Sequence, residues 1–143
     1  MRGHCLCGSV EFEIDGQKFK LYQCHCSLCR RHGGSASNAA TIVRAEKFRW
    51  IRGKDQISSW QKDSGFRSDF CSRCGSSLPN PLRALPYVWI PVGLLDDDAG
   101  LRLVAHLSLA SKAKWDLSIA EGQCFQELPS DLRAFINTLQ SDE

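Results

Sequence analysis

His4-Cys5-Leu6-Cys7-Gly8-Ser9-Val10-Glu11-Phe12-Glu13-Ile14-Asp15-Gly16 (residues 4–16) carries two signals in one stretch. Two cysteines stand one residue apart, so in extended backbone their side chains leave the same face. Directly after them Val10, Phe12 and Ile14 alternate with Glu11, Glu13 and Asp15, the period of two of a half-buried strand. Asp15-Gly16 is a turn signal, and Phe19, Leu21 and Gln23 continue the alternation, which predicts a hairpin returning toward Cys24. A cysteine pair fused to a β-hairpin suits a metal-pinned β fold.

The rest of the chain extends that pattern. Strands are expected at Ala39–Arg44, Phe48–Arg52, Gln56–Gln61, Phe66–Phe70, Tyr87–Leu94 and Leu101–His106, punctuated by Gly53, Gly65 and Gly93. The proline-rich stretch Pro79–Pro86 reads as a loop. Only the C-terminus reads as helix, where Leu132, Phe135, Ile136 and Leu139 fall at i, i+3, i+4 and i+7 behind Ser130 as N-cap. The expected class is mainly β with a short C-terminal helix, in one domain spanning residues 1–143.

Composition narrows the function. At 143 residues the chain is long enough for one core, and 43% hydrophobic with 24% charged residues argues against disorder. The longest uncharged apolar run, Ala84–Leu95, has 12 residues, well short of the roughly 20 of a membrane-spanning helix. Arg2, His4, Glu11, Glu13 and Asp15 break any signal-peptide core, so the expected location is cytoplasmic. A net charge of +2 is too small to announce nucleic acid.

The chain has eight cysteines: Cys5 and Cys7, then Cys24, Cys26 and Cys29, then Cys71 and Cys74, with Cys124 alone. In a reducing compartment such clusters favour metal over disulfides. A structural zinc takes four protein ligands, and a catalytic zinc takes three and keeps one position open. Seven clustered cysteines therefore divide into Cys5, Cys7, Cys71 and Cys74 as a closed structural zinc site, and Cys24, Cys26 and Cys29 as a second, open one. Gly75 follows the second pair, where a positive φ is often required. His32 stands three residues past Cys29, also a ligand spacing, and would close the second site if it bound.

Three thiolates on Zn²⁺ leave a formal charge of −1, which weakens Lewis acidity and favours a fourth soft ligand such as a thiol. Arg30 and Arg31 follow directly and are candidates to receive a carboxylate. The expected partner is a small anionic thiol. His25, between two ligands, should point away from the metal, and His106 at a strand end is a candidate to face the site. His4 reads as exposed or structural, Asp96-Asp97-Asp98 as a solvated turn, and Cys124 as a small core residue. Trp50, Trp60, Trp89 and Trp115 read as core, Trp115 being best placed to wall a pocket. Residues 30–73 hold ten Lys or Arg against four Asp or Glu, a balance of 10 − 4 = +6, read as exposed strand faces, as a nucleic-acid surface with Phe48, Trp50, Trp60 and Phe66 interleaved, or, the favoured functional reading, as a rim drawing in an anionic substrate.

The motifs Gly3-His4-Cys5-Leu6-Cys7-Gly8, Cys24-His25-Cys26-Ser27-Leu28-Cys29-Arg30-Arg31, Phe70-Cys71-Ser72-Arg73-Cys74-Gly75-Ser76, Gly93-Leu94-Leu95-Asp96 and His106 through Trp115 resemble the family of glutathione-dependent formaldehyde-activating enzymes, which includes centromere protein V. The resemblance implies a twisted, mostly antiparallel β-tent and two zinc ions per chain at the two cysteine groups. It also implies carbon–sulfur lyase or synthase chemistry on glutathione, or a similar thiol, and a small aldehyde. The alternative from another class is a non-catalytic double-zinc module binding nucleic acid or protein.

Overall fold

The computed structural model describes residues 1–117 and 122–141. In chain order the strands are β1 (Arg2–His4), β2 (Glu11–Ile14), β3 (Phe19–Cys24), β4 (Asn38–Arg44), β5 (Phe48–Arg52) and β6 (Ile57–Gln61). They continue with β7 (Arg67–Cys71), β8 (Ser77–Leu78), β9 (Asn80–Pro81), β10 (Tyr87–Pro91), β11 (Leu101–Leu107) and β12 (Gln123–Cys124). Helix α1 (Ser27–Gly33) follows β3, and helix α2 (Leu132–Gln140) closes the chain. The protein is mainly β with a C-terminal helix, as the sequence leads one to expect. No helix among the described residues is long and apolar enough to cross a membrane.

Two compact units divide the chain: residues 1–17 with 42–100, and residues 18–41 with 101–143. In the first, β2 lies between β1 and β5, both antiparallel to it. The alternation read from the sequence is realised there, with Phe12 and Ile14 fully buried. Phe12 stacks on Phe48 at 5.6 Å and meets Trp50 edge-on at 6.2 Å. A second sheet, β6-β7-β8, is also antiparallel. Around the cysteines Cys5, Val10, Cys71 and Leu78 are buried together, with Trp50, Ile57 and Leu94 packed against them.

The hairpin expected from Asp15-Gly16 does not form. With β1 and β5 on its two sides, β2 has no edge left, and β3 pairs with β4 and β11 instead. Nor is Pro79–Pro86 wholly a loop, because β9 lies inside it and pairs with β10 through Val88↔Pro81 and Trp89↔Asn80. As the last strand of its sheet, β9 tolerates a proline that offers no N–H.

In the second unit β3 runs antiparallel to β4 and parallel to β11, and the short β12 lies parallel on the other side of β11. Helix α2 buries Phe135, Ile136 and Leu139. Phe135 meets Tyr22 and Phe125 edge-on at 5.5 and 5.7 Å. The N-cap is Asp131, whose side chain accepts from the Ala134 N–H, rather than the expected Ser130. Cys124 is exposed on the edge strand β12, not in the core. Trp60 and Trp115, also expected in the core, are 56% and 68% exposed, while Trp50 and Trp89 are half-buried.

Candidate metal centres

In the first unit the sulfurs of Cys5, Cys7, Cys71 and Cys74 all lie within 4.8 Å of one another. Cys5 to Cys7 is 3.6 Å and Cys7 to Cys71 is 3.9 Å. Those separations are far beyond a disulfide, and they bracket the edge of about 3.8 Å expected of a tetrahedron with Zn–S bonds of about 2.3 Å. Two tight turns produce the convergence. Val10 N–H donates to the Cys5 sulfur at 3.3 Å while Gly8 N–H closes onto the Cys5 carbonyl at 2.9 Å. Gly75 N–H closes onto the Cys71 carbonyl at 2.8 Å, with Gly75 at φ 78° as the knuckle requires.

Two serines that the sequence reading passed over sit against these sulfurs. Ser9 Oγ is 3.0 Å from the Cys7 sulfur and 3.4 Å from that of Cys71, and Ser76 Oγ is 3.3 Å from that of Cys74. The bond to Ser76 lowers the Cys74 thiol to about 5, and Ser9 draws Cys71 below its ordinary value. Hydroxyls that stabilise thiolates are what a zinc–thiolate site requires.

The second unit gathers Cys24, Cys26 and Cys29, again within 4.8 Å. Cys24 ends β3 and Cys26 caps α1, its sulfur accepting from the Cys29 N–H at 3.3 Å. Helix α1 was not foreseen, and it is what turns Cys29 back toward the other two. Hydrogen bonds from the neighbouring thiols pull Cys26 well below the thiol range and push Cys24 and Cys29 up. His32 stays outside this group; Asn38 Nδ2 lies 3.3 Å from its Nδ1, and burial lowers its imidazole. Arg30 is half-buried on α1, and its Nε is shielded with no hydrogen-bond partner among the described residues. Arg31 is exposed.

His25 is 3% exposed between Cys24 and Cys26, with its Nε2 2.9 Å from Nδ1 of the equally buried His106. Its Nδ1 is 3.6 Å from Oδ2 of Asp116, itself 6% exposed. Burial, with His106 adding to it, lowers the His25 imidazole, leaving the ring neutral at pH 7 with one donor and one acceptor nitrogen. Nδ1 is shielded from solvent and makes no hydrogen bond among the described residues, the Asp116 carboxylate lying just beyond that range, and the tautomer decides which ring donates across the contact between the two histidines. Nothing local in the sequence links Asp116 to residue 25, so its role is set by the fold alone.

The remaining candidates are surface features. His4 bonds the Cys5 carbonyl and pairs with Asp96 at 3.1 Å, and Asp97 and Asp98 are exposed. In the basic segment Arg49 is tied to Glu13 and Asp15, Arg52 to Glu11, and Arg67 to Asp69.

The chain belongs to the family of the glutathione-dependent formaldehyde-activating enzyme, whose model matches residues 1–111. A Rhodobacter sphaeroides protein of known crystal structure is similar, with 28% sequence identity over 67% of this chain and 88% of that one, and a TM-score of 0.54. No curated protein matches the chain.

Proposed function

We propose that the protein is a zinc-dependent carbon–sulfur lyase or synthase, joining a small anionic thiol such as glutathione to a small aldehyde. One observation carries the reading: three sulfurs, from Cys24, Cys26 and Cys29, converge, and no other His, Cys, Asp or Glu among the described residues joins them at that spacing. Cys5, Cys7, Cys71 and Cys74 are assigned to a structural zinc. A zinc ion in the three-sulfur group supplies a soft fourth position that keeps a thiol deprotonated.

The chain's own residues do the rest. Arg30 and Arg31, which follow Cys29 directly on α1, anchor carboxylates of the thiol. Held in that way, the sulfur stands near the aldehyde carbon, and positioning replaces a chance encounter. The new C–S bond forms as the carbonyl π pair moves to oxygen, which takes a proton from water, and the reverse step is the lyase direction. The charge of the two arginines favours an anionic thiol over a neutral one.

The test is adduct formation from thiol and aldehyde, followed alongside zinc per chain. Wild-type protein is expected to hold two zinc ions, of which a mild chelator removes one together with the activity. Cys26→Ser should abolish turnover and keep the other zinc; full turnover in that variant overturns the proposal. Arg30→Ala should raise KM for the thiol roughly 10-fold with a smaller effect on kcat.

A further inference from the structure

We infer that Asp116, His25 and His106 are positioning residues for the Cys24–Cys26–Cys29 centre, a buried polar brace behind the segment that presents two of its three sulfurs. The inference rests on the reading of that triplet as a metal centre, though not on the reaction proposed for it.

Cys24 and Cys26 flank His25 in extended backbone, so the sulfurs leave one side and the imidazole the other. On that other side the ring meets His106 at 2.9 Å and Asp116 at 3.6 Å. The same residue is held by its main chain, since His25 N–H donates to the Leu107 carbonyl at 2.9 Å. The register of β3 on β11, Gln23↔His106 and Cys24↔Leu107, continues this anchoring. Asp116 is itself fixed: its N–H donates to the Ala113 carbonyl at 3.1 Å, and the Lys112 ammonium donates to the main-chain carbonyl of Asp116. Three parts of the unit, namely β3, β11 and the turn at residues 112–116, thus converge on the one residue that sets the direction of both cysteines.

Packing alone does not call for this chemistry. Two imidazoles and a carboxylate, all at least nine-tenths buried, stand where an apolar trio would fill space without desolvating polar groups. A four-ligand site holds its own geometry, whereas a three-ligand site relies on the groups behind its ligands to keep them aimed. The brace supplies that for Cys24 and Cys26, as the capping bond onto the Cys26 sulfur does for Cys29.

The experiment compares Asp116→Leu with Asp116→Asn, and His106→Leu with His106→Asn, in the full chain. Each pair removes the polar contact, then restores an acceptor or a donor near the lost atom. Two readouts apply: the rate at which a mild chelator takes the second zinc, and the thiolate-to-metal absorption of the Co²⁺-loaded protein. The leucine variants are expected to lose the second zinc roughly 10–100-fold faster and to shift the Co²⁺ spectrum, with the asparagine variants largely restored. The four-cysteine zinc, unchanged throughout, reports that the variants have folded. Leucine and asparagine variants that both match wild type, or that are equally impaired, overturn the brace alone. If either leucine variant fails to fold, the asparagine partner decides: release at wild-type rate supports the brace, and release as fast as from Cys26→Ser overturns it. Wild-type protein that binds only one metal overturns the metal-centre reading and the brace with it.

Discussion

Gly53 shows how much one residue can govern here. It sits at φ 78°, and a Cβ added to it would lie 2.0 Å from the Ser9 carbonyl oxygen. Ser9 in turn places its hydroxyl between the sulfurs of Cys7 and Cys71. Gly53→Ala is therefore expected to cost at least about 1–3 kcal/mol in urea unfolding, and to loosen the four-cysteine zinc as well. A change below about 0.5 kcal/mol would mean the approach to Ser9 is unimportant. Residue-level chemistry was unevenly legible. Cysteine spacing indicated each local cluster and the need for Gly75, because residues adjacent in sequence are adjacent in space, and the meeting of Cys5 and Cys7 with Cys71 and Cys74 is what the fold adds. Ser9, Ser76 and Asp116 were not legible as partners, since the contacts that define their roles depend on how distant segments meet. Trp60 and Trp115 misled for a related reason: aromatic character favours burial without saying which face of a strand or turn is covered.

Among the elements, α2 joins local signal to packing most directly. Its apolar spacing predicts the burial of Leu132, Phe135, Ile136 and Leu139; the structure buries the last three and leaves Leu132, in the first turn, 38% exposed. Phe135→Ala should cost about 3–5 kcal/mol, since the ring fills a site between Tyr22 and Phe125. Asp131→Ala should cost about 1 kcal/mol by removing the cap. Helix α1 gave no such signal. Its seven residues have no apolar stripe, and it is closed by a Cys26 cap at one end and Gly34 in the left-handed region at the other. Beside β2, Arg49 bonds both Glu13 and Asp15 at 2.7 Å. The Arg49 guanidinium holds the Asp15 carboxyl below its ordinary value of 3.8. A carboxyl depressed by folding adds stability that is complete above its unfolded value and fades as pH falls through the folded one. Arg49→Met should therefore destabilise at neutral pH, and the gap to wild type should close on acidification. A gap that persists through the carboxylate range would show that the pairing contributes nothing through charge.

At the scale of the whole molecule, chain order and spatial order diverge. The chain leaves the first unit after residue 17, returns at 42 and leaves again after 100. Strand candidates could be placed from the sequence almost residue by residue, yet the pairing of β3 with β11 could not, because roughly 80 residues separate them and periodicity carries no partner information. Zinc in a closed four-cysteine site is worth on the order of 10–16 kcal/mol of apparent free energy, comparable with a domain's stability. A strong chelator should accordingly collapse the Tm, whereas a mild one that empties only the triplet should lower it slightly. Equal losses in the two treatments would contradict the division into structural and exchangeable sites.

The four-cysteine group draws Cys5 and Cys7 from one side of the exposed turn at Lys62–Gly65, and Cys71 and Cys74 from the other. A protease cutting once after Lys62 would sever the chain without separating it. The two fragments would still share the β6–β7 ladder, the β3–β11 pairing and any metal held by the four cysteines, and would travel together through a sizing column. Adding a strong chelator to the nicked protein should leave the fragments joined through β3 and β11, so the loss of the ion would be read in the stability of the first unit and not as two separated fragments.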